Sequence, residues 1–327
     1  MGGGVLAAHA DWSVDPRKRW VTVARRDGAG WRMAAPRPVG ELGGFLSGLV
    51  AEAAGGAVAL GLDLPLGLPR HWAASRPETD FPAFLRGLTA DAPFFTVAAT
   101  LDEVRPERPF YPQRGAKGMQ QAPHAAALGL PGPLGLRRLC DHATAERPAG
   151  APLFWTLGAN QTGKAAVSAW RDMLLPAFAA GPPLRFWPFE GRFRTLLAPG
   201  AVALAETYPA EALRHLGLRL AGSKRRQADR AALASGLLAA AGRLGAVPDP
   251  AMAAAIAAGF GADAAGEDRF DSTLGLLCVL NVLAGNRTDE APDDAWVRRW
   301  EGWVLGQTAL PAGPTAGHPV ARQNGIG

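Results

Sequence analysis

Three apolar runs in this sequence end on carboxylates and a fourth begins with them, and their spacing suggests metal chemistry. VLAAHAD ends on Asp11, AVALGLD on Asp63 and AVALAE on Glu206, while EDRFDSTLGLLCVLNVL sets Asp268 and Asp271 at the head of an apolar helix. Water normally keeps acids at the surface, so acids at the ends of core strands predict a gathered cluster. Carboxylates held together without a cation raise one another's pKa by repulsion, and a hard divalent ion is the simplest compensation. Asp268 and Asp271 lie three apart and share a helix face. Glu267 adds a third acid where the helix dipole favours negative charge. Each acid taken singly has a plainer reading as a helix cap or a turn residue. Three acids ending apolar strands in one chain favour the cluster.

Positioning these acids takes a sheet and at least one long helix. GVLAAHADW reads as a buried strand. RWVTVARR and WRMAAP return as a meander around the turn DGAG. Val39, Leu42, Phe45, Leu46, Leu49 and Val50 recur at helical spacing, and Gly55-Gly56 stops that helix. AVALGLDLPLGLP is continuously apolar, as a strand covered on both faces should be. GAVALAETYP is a further strand, followed by helices over AEALRHLGL, RRQADRAALASGLLAAAGRLG and DRFDSTLGLLCVLNVLAG. The expectation is an α/β fold: a mixed sheet, made of a three-strand meander plus parallel strands, flanked by helices. It forms a single domain over 1–310, with a core at 1–66 and 199–287. The long excursion at 67–198 is an insert. Within it ASRPETDFPAFLRGL and PLGLRRLCDHATAER read as short helices, PLFWTL as a strand and ANQTGKAAVSAWRDMLLPAFAAG as a helix. Trp296, Trp300 and Trp303 suggest a terminal helix over 291–308, and the Gly/Pro-rich tail 311–327 reads as disordered.

Composition narrows the class further. The 327 residues are 48% hydrophobic and 19% charged, enough to bury a large core. The two cysteines, Cys140 and Cys278, are too few for a disulfide framework. No signal peptide and no apolar run long enough to span a bilayer is visible, so the expected setting is soluble and cytoplasmic, with no membrane partner. A net charge of +5 permits a polyanionic partner.

Taken in order, HADWSVDPRKRWVTVA, ALGLDLPLGLP, AETYPAEALRHLGL with SKRRQADR, and DRFDSTLGLL resemble the successive blocks of an uncharacterised bacterial family of predicted RNase H-like nucleases. The spacing of the acids is also similar to that of RuvC-type resolvases, although Trp12-Ser13 follow the first acid where many resolvases have Pro-Gly. The resemblance implies an RNase H-like fold and a nuclease that hydrolyses phosphodiester bonds by a two-metal mechanism with Mg2+ or Mn2+. By the same analogy Asp11 bridges the ions, Asp63 holds one, and Asp271 or Asp268 holds the other. Glu206 either joins the catalytic acids or shapes the pocket.

Several basic and polar groups are candidate substrate contacts: Lys224, Arg225 and Arg230 after the Glu206 block, and Arg114 and Lys117 in the loop RPERPFYPQRGAKGMQQAP. Basic and aromatic residues together can grip a nucleic-acid strand, DNA or RNA. GANQTGKA, from Gly158 to Ala165, nearly matches the phosphate-binding loop G-x4-G-K-[ST], but Ala165 stands where a magnesium-ligating hydroxyl belongs. Asn160, Gln161 and Lys164 at this helix start would instead face the acids. The alternatives are an ATP-using phosphotransferase or NTPase, and a catalytically inactive nucleic-acid-binding protein.

Overall fold

The computed structural model describes residues 4–115, 119–157 and 162–311. Lys117, Asn160 and Gln161, with most of the tail, lie outside the described residues. Among those described, eight strands make one mixed sheet. They are β1 (Leu6–Asp11), β2 (Trp20–Asp27), β3 (Gly30–Met33), β4 (Arg37–Pro38), β5 (Val58–Leu62), β6 (Leu184–Phe186), β7 (Val202–Glu206) and β8 (Ala246–Pro248). The order is β6-β7-β5-β1-β2-β3-β8, with β4 paired to β2. The meander β1-β2-β3 is antiparallel, as expected, and β5 and β7 run parallel to β1 beyond it.

The helices are α1 (Leu42–Glu52), α2 (Arg70–Ala73), α3 (Phe81–Arg86), α4 (Gln121–Ala127), α5 (Thr162–Ala169), α6 (Leu175–Ala180), α7 (Pro209–His215), α8 (Gln227–Ala231), α9 (Ala234–Arg243), α10 (Pro250–Ala257) and α11 (Gly266–Leu283). On the central strands, side chains alternate by size as well as by face. Leu6, Val58, Leu60, Leu62, Val202 and Leu204 pack on the side that carries α1 and the insert. Ala7, Ala59, Ala203 and Ala205 face α11. Small residues let that helix lie close to the sheet. A Cβ on Gly61 would sit 2.8 Å from Val279, and one on Gly275 would sit 2.2 Å from the His9 ring. Helix α11 is apolar on nearly all sides because α7 and the segment Trp303–Leu305 cover the face turned away from the sheet.

The insert builds an aromatic core on the other face. Trp72, Phe84, Phe94, Phe110, Phe154 and Trp170 meet there, with the Phe84 and Phe94 ring centroids 5.0 Å apart. It also supplies β6, parallel to β7, so the insert is part of the sheet. Three expectations are corrected and two elements are new. PLFWTL forms no strand; Trp155 makes only an isolated bridge to Tyr111. PLGLRRLCDHATAER is no α-helix but holds two 3-10 turns, Pro133–Leu136 and Leu139–Asp141, because Arg138 and Asp141 turn inward to an ion network. The helix expected over 291–308 is reduced to one wide turn, Val297–Glu301, which stops at Gly302 with φ +68°. A Cβ there would lie 2.1 Å from the Leu66 carbonyl oxygen, so the chain must turn where it meets that loop. Finally, β8 and α10 were not foreseen; the run around Val247 is too short to show a period.

Candidate metal centre at the ends of β1 and β5

The register of the sheet brings the first two acids together. Ala10 pairs with Leu62, and the Asp63 amide donates to the Ala10 carbonyl at 3.0 Å. Ala10 and Leu62 face the insert, so the next residues along, Asp11 and Asp63, face α11. The start of α11 is fixed against the same strands. The Ser272 hydroxyl lies 2.8 Å from that of Thr22, and the His9 Nδ1 donates to the Ser272 carbonyl at 3.2 Å. This contact sets Asp271, only 6% exposed, against Asp11, 8% exposed.

The acids load one another electrostatically, as the sequence predicts. Burial, then Asp271, Asp63 and Asp268, push the Asp11 carboxyl well above the usual range. Burial and then Asp271 lift Asp63 to about 7, with Lys224 opposing. Asp268 is raised to about 6, mainly by burial and then by Asp271 and Glu267, with Lys18 opposing. Burial raises Asp271 too, against the pull of Lys224. The Lys224 ammonium sits among these groups, 2.5 Å from Asp271 Oδ2 and 3.3 Å from Glu267 Oε1. Burial works against its charge, yet Asp271, Glu267 and Asp63 hold it above the usual lysine range.

Glu206 does not join them. It pairs with Leu62, not Asp63, so it projects to the opposite face of the sheet. There its two oxygens accept from Arg138 at 2.6 and 2.8 Å and from the Leu66 amide at 2.8 Å. Fully buried and saturated with donors, it is a structural anion and not a metal ligand. The residue just after β7, Thr207, lies on the acid face, and its buried hydroxyl has no hydrogen-bond partner. The sequence signal for it was only its place one residue after the acid in the ETYP block. His9, buried two positions before Asp11, was also missed.

Most of the proposed substrate contacts are engaged elsewhere. Arg230 is 1% exposed and donates to the carbonyls of Lys224, Gly259 (2.9 Å) and Gly261 (2.6 Å), so it is a loop anchor. Lys164 donates to the Gln113 carbonyl at 3.0 Å, within the insert. Arg114 is exposed on the insert. Arg225 alone stands at the rim of the cluster, its Nε 3.9 Å from Glu267 and its side chain 80% exposed. Trp12 does not crowd the acids: its indole donates to Ser168 at 3.1 Å in the core of the other face.

The donors are all hard oxygens, they are short of counter-charge, and the buried Asp268 Oδ2 has no hydrogen-bond partner. That chemistry fits Mg2+ or Mn2+. Among the described residues, no group of three or more His, Cys, Asp or Glu is placed to hold a metal ion. Lys224 pairs with the helix acids Asp271 and Glu267, and its charge also acts on Asp11 and Asp63. No helix among the described residues is long and apolar enough to cross a membrane. Comparison with models of protein families, with curated proteins and with solved structures gave no match.

Proposed function

We propose that this chain is a metal-dependent nuclease of RNase H-like fold. The observation that carries the reading is the gathering of Asp11, Asp63, Asp268 and Asp271, from two strands and one helix, into a site where burial raises all four and Asp271 further raises Asp11, Asp63 and Asp268. The antiparallel meander continued by parallel strands supports the fold assignment. A divalent ion held there supplies Lewis acidity, polarising a phosphoryl oxygen and easing deprotonation of the attacking water. Asp11, Asp63 and Asp271 are its proposed ligands, with Asp268 in support. Lys18 and Arg225 at the rim favour a phosphate backbone, of DNA or RNA, lying across the strand ends.

The test is cleavage of labelled single- and double-stranded DNA and RNA with Mg2+ or Mn2+. Cleavage is expected to need the metal and to fall at least about 100-fold in Asp11→Asn, the scale of losing a principal electrostatic group. Undiminished cleavage by Asp11→Asn would sink the assignment.

One observation favours a second reading, a catalytically inactive nucleic-acid-binding protein: Lys224 already offsets part of the acids' charge. Salt-sensitive binding that survives loss of all four aspartates, without cleavage, would support it. The phosphotransferase reading draws nothing from the segment before Gly158, which forms no strand, nor from Lys164, which is bonded to the insert.

A further inference from the structure

We infer that Lys224 is a built-in cation of this site, so that the cluster takes one divalent ion and not two. The inference rests on the metal-centre reading above. Its first support is position. The ammonium contacts Asp271 at 2.5 Å and Glu267 at 3.3 Å, and its charge also acts on Asp11, Asp63 and Asp268. It occupies the helix side of the cluster, where the resemblance places the ligands of a second ion.

The second support is that the lysine is held in place by its backbone. The Lys224 carbonyl accepts from Arg230, a buried arginine whose remaining donors reach the Gly259 and Gly261 carbonyls. Just before it, the Ser223 amide donates to Asp229 at 2.8 Å. Two glycines make room for these anchors. A Cβ on Gly222 would lie 2.2 Å from the Asp229 carboxylate, and one on Gly266 would lie 2.4 Å from the Arg230 guanidinium. The Lys224 side chain is 46% exposed, so its place is set by these backbone anchors and by the two carboxylates it touches. Burying an arginine against three carbonyls is a cost that makes sense if the loop must present its side chain at one place.

The third support is what remains once Lys224 is counted. Asp271 gives its Oδ2 to Lys224. On the strand side Asp11 and Asp63 follow paired residues of neighbouring strands, beside a buried Thr207 hydroxyl that has no partner. Asp268 keeps a buried oxygen without a partner. These oxygens suit one hard cation. An ammonium next to that cation adds a positive charge that does not exchange with solvent ions, and with Asp271 and Glu267 taking two of its donors one is left to face a phosphate.

Mn2+ titration of the full-length chain, by calorimetry and by the paramagnetic resonance of free Mn2+, counts the ions without reference to turnover. The wild type is expected to bind one. Lys224→Met, which keeps most of the stem and removes the charge, is expected to bind two; Lys224→Arg is expected to bind one. Two ions on the wild type, a count needing no variant, would overturn the inference and leave the metal-centre reading standing. A single ion on Lys224→Met would overturn it as well. No Mn2+ on either protein would remove both readings together.

Discussion

Asp63 is held where ionisation costs the fold stability. Its carboxyl is raised from 3.8 to about 7, first by burial and then by Asp271. A raised pKa means that the neutral form is the better tolerated one in the folded state. The stabilisation is therefore complete below about pH 4 and is lost as pH rises through about 7. In the metal-free protein Asp63→Asn is expected to match the wild type near pH 4 and to be more stable at pH 8, by on the order of 4 kcal/mol. Mg2+ should narrow the gap by restoring counter-charge to the wild type alone. Urea titrations at both pH values, with and without Mg2+, check this; a wild type that gains on the variant as pH rises would contradict it. At this scale the sequence was informative about Asp11, Asp63, Asp268 and Asp271, because an acid at the end of an apolar run is a local signal. It was misleading about Glu206. AVALAE looks as good as AVALGLD, yet one residue of register turns the carboxylate to the other face.

Helix α11 brings the helix acids to the strand acids, and its distance from the sheet depends on two glycines. The His9 ring fills the space between β1 and α11, donating to the Ser272 carbonyl, and Gly275 is the helix residue it lies against. Gly275→Ala puts a methyl group 2.2 Å from that ring, so either the ring or the helix must move. Because the ring is enclosed, the expected loss is about 2–3 kcal/mol in urea unfolding, the usual scale of overpacking. His9→Ala combined with Gly275→Ala should lose less than the sum of the single changes, since each relieves the other. Strict additivity would show that the two positions do not compete for the same volume. The strands and α11 were legible from periodicity. The 133–141 turns and the wide turn at Val297–Glu301 were not, because their side chains are recruited by groups far away in the chain.

Across the whole molecule, Arg138 ties the insert to the core. It is fully buried and binds Asp141 of the insert, Glu206 at the end of β7 and the Glu301 carbonyl near the C-terminal end of the described chain. Replacing one partner of such a network leaves uncompensated charge in the interior, which typically costs about 3–5 kcal/mol. Arg138→Met strands two carboxylates, so it is expected to destabilise the protein by that order at pH 7. The loss should be smaller near pH 5, where the stranded acids take up protons more readily. Thermal or urea unfolding at the two pH values measures it, and equal losses at both would show that the cost is one of packing and not of charge. The extent of the insert was visible in the sequence as a stretch without clear period. Its contribution of β6 to the sheet was not, because three residues at a sheet edge carry too little pattern.

What the sequence determined by itself is whatever a short window can encode. That covers the meander, the apolar strands with a large and a small face, the long apolar helix, and the acids at their ends. Only the tertiary structure decided which acids meet, since that depends on strand register and on the closeness of α11. It also decided the fate of the basic residues: Arg230 became a buried anchor, Lys164 stayed with the insert, and Lys224 entered the cluster opposite an acid 47 positions away. A long charged side chain is compatible with nearly any local structure. Its partner is chosen by proximity and by the cost of leaving a buried charge unpaired, and neither is set until the chain has folded.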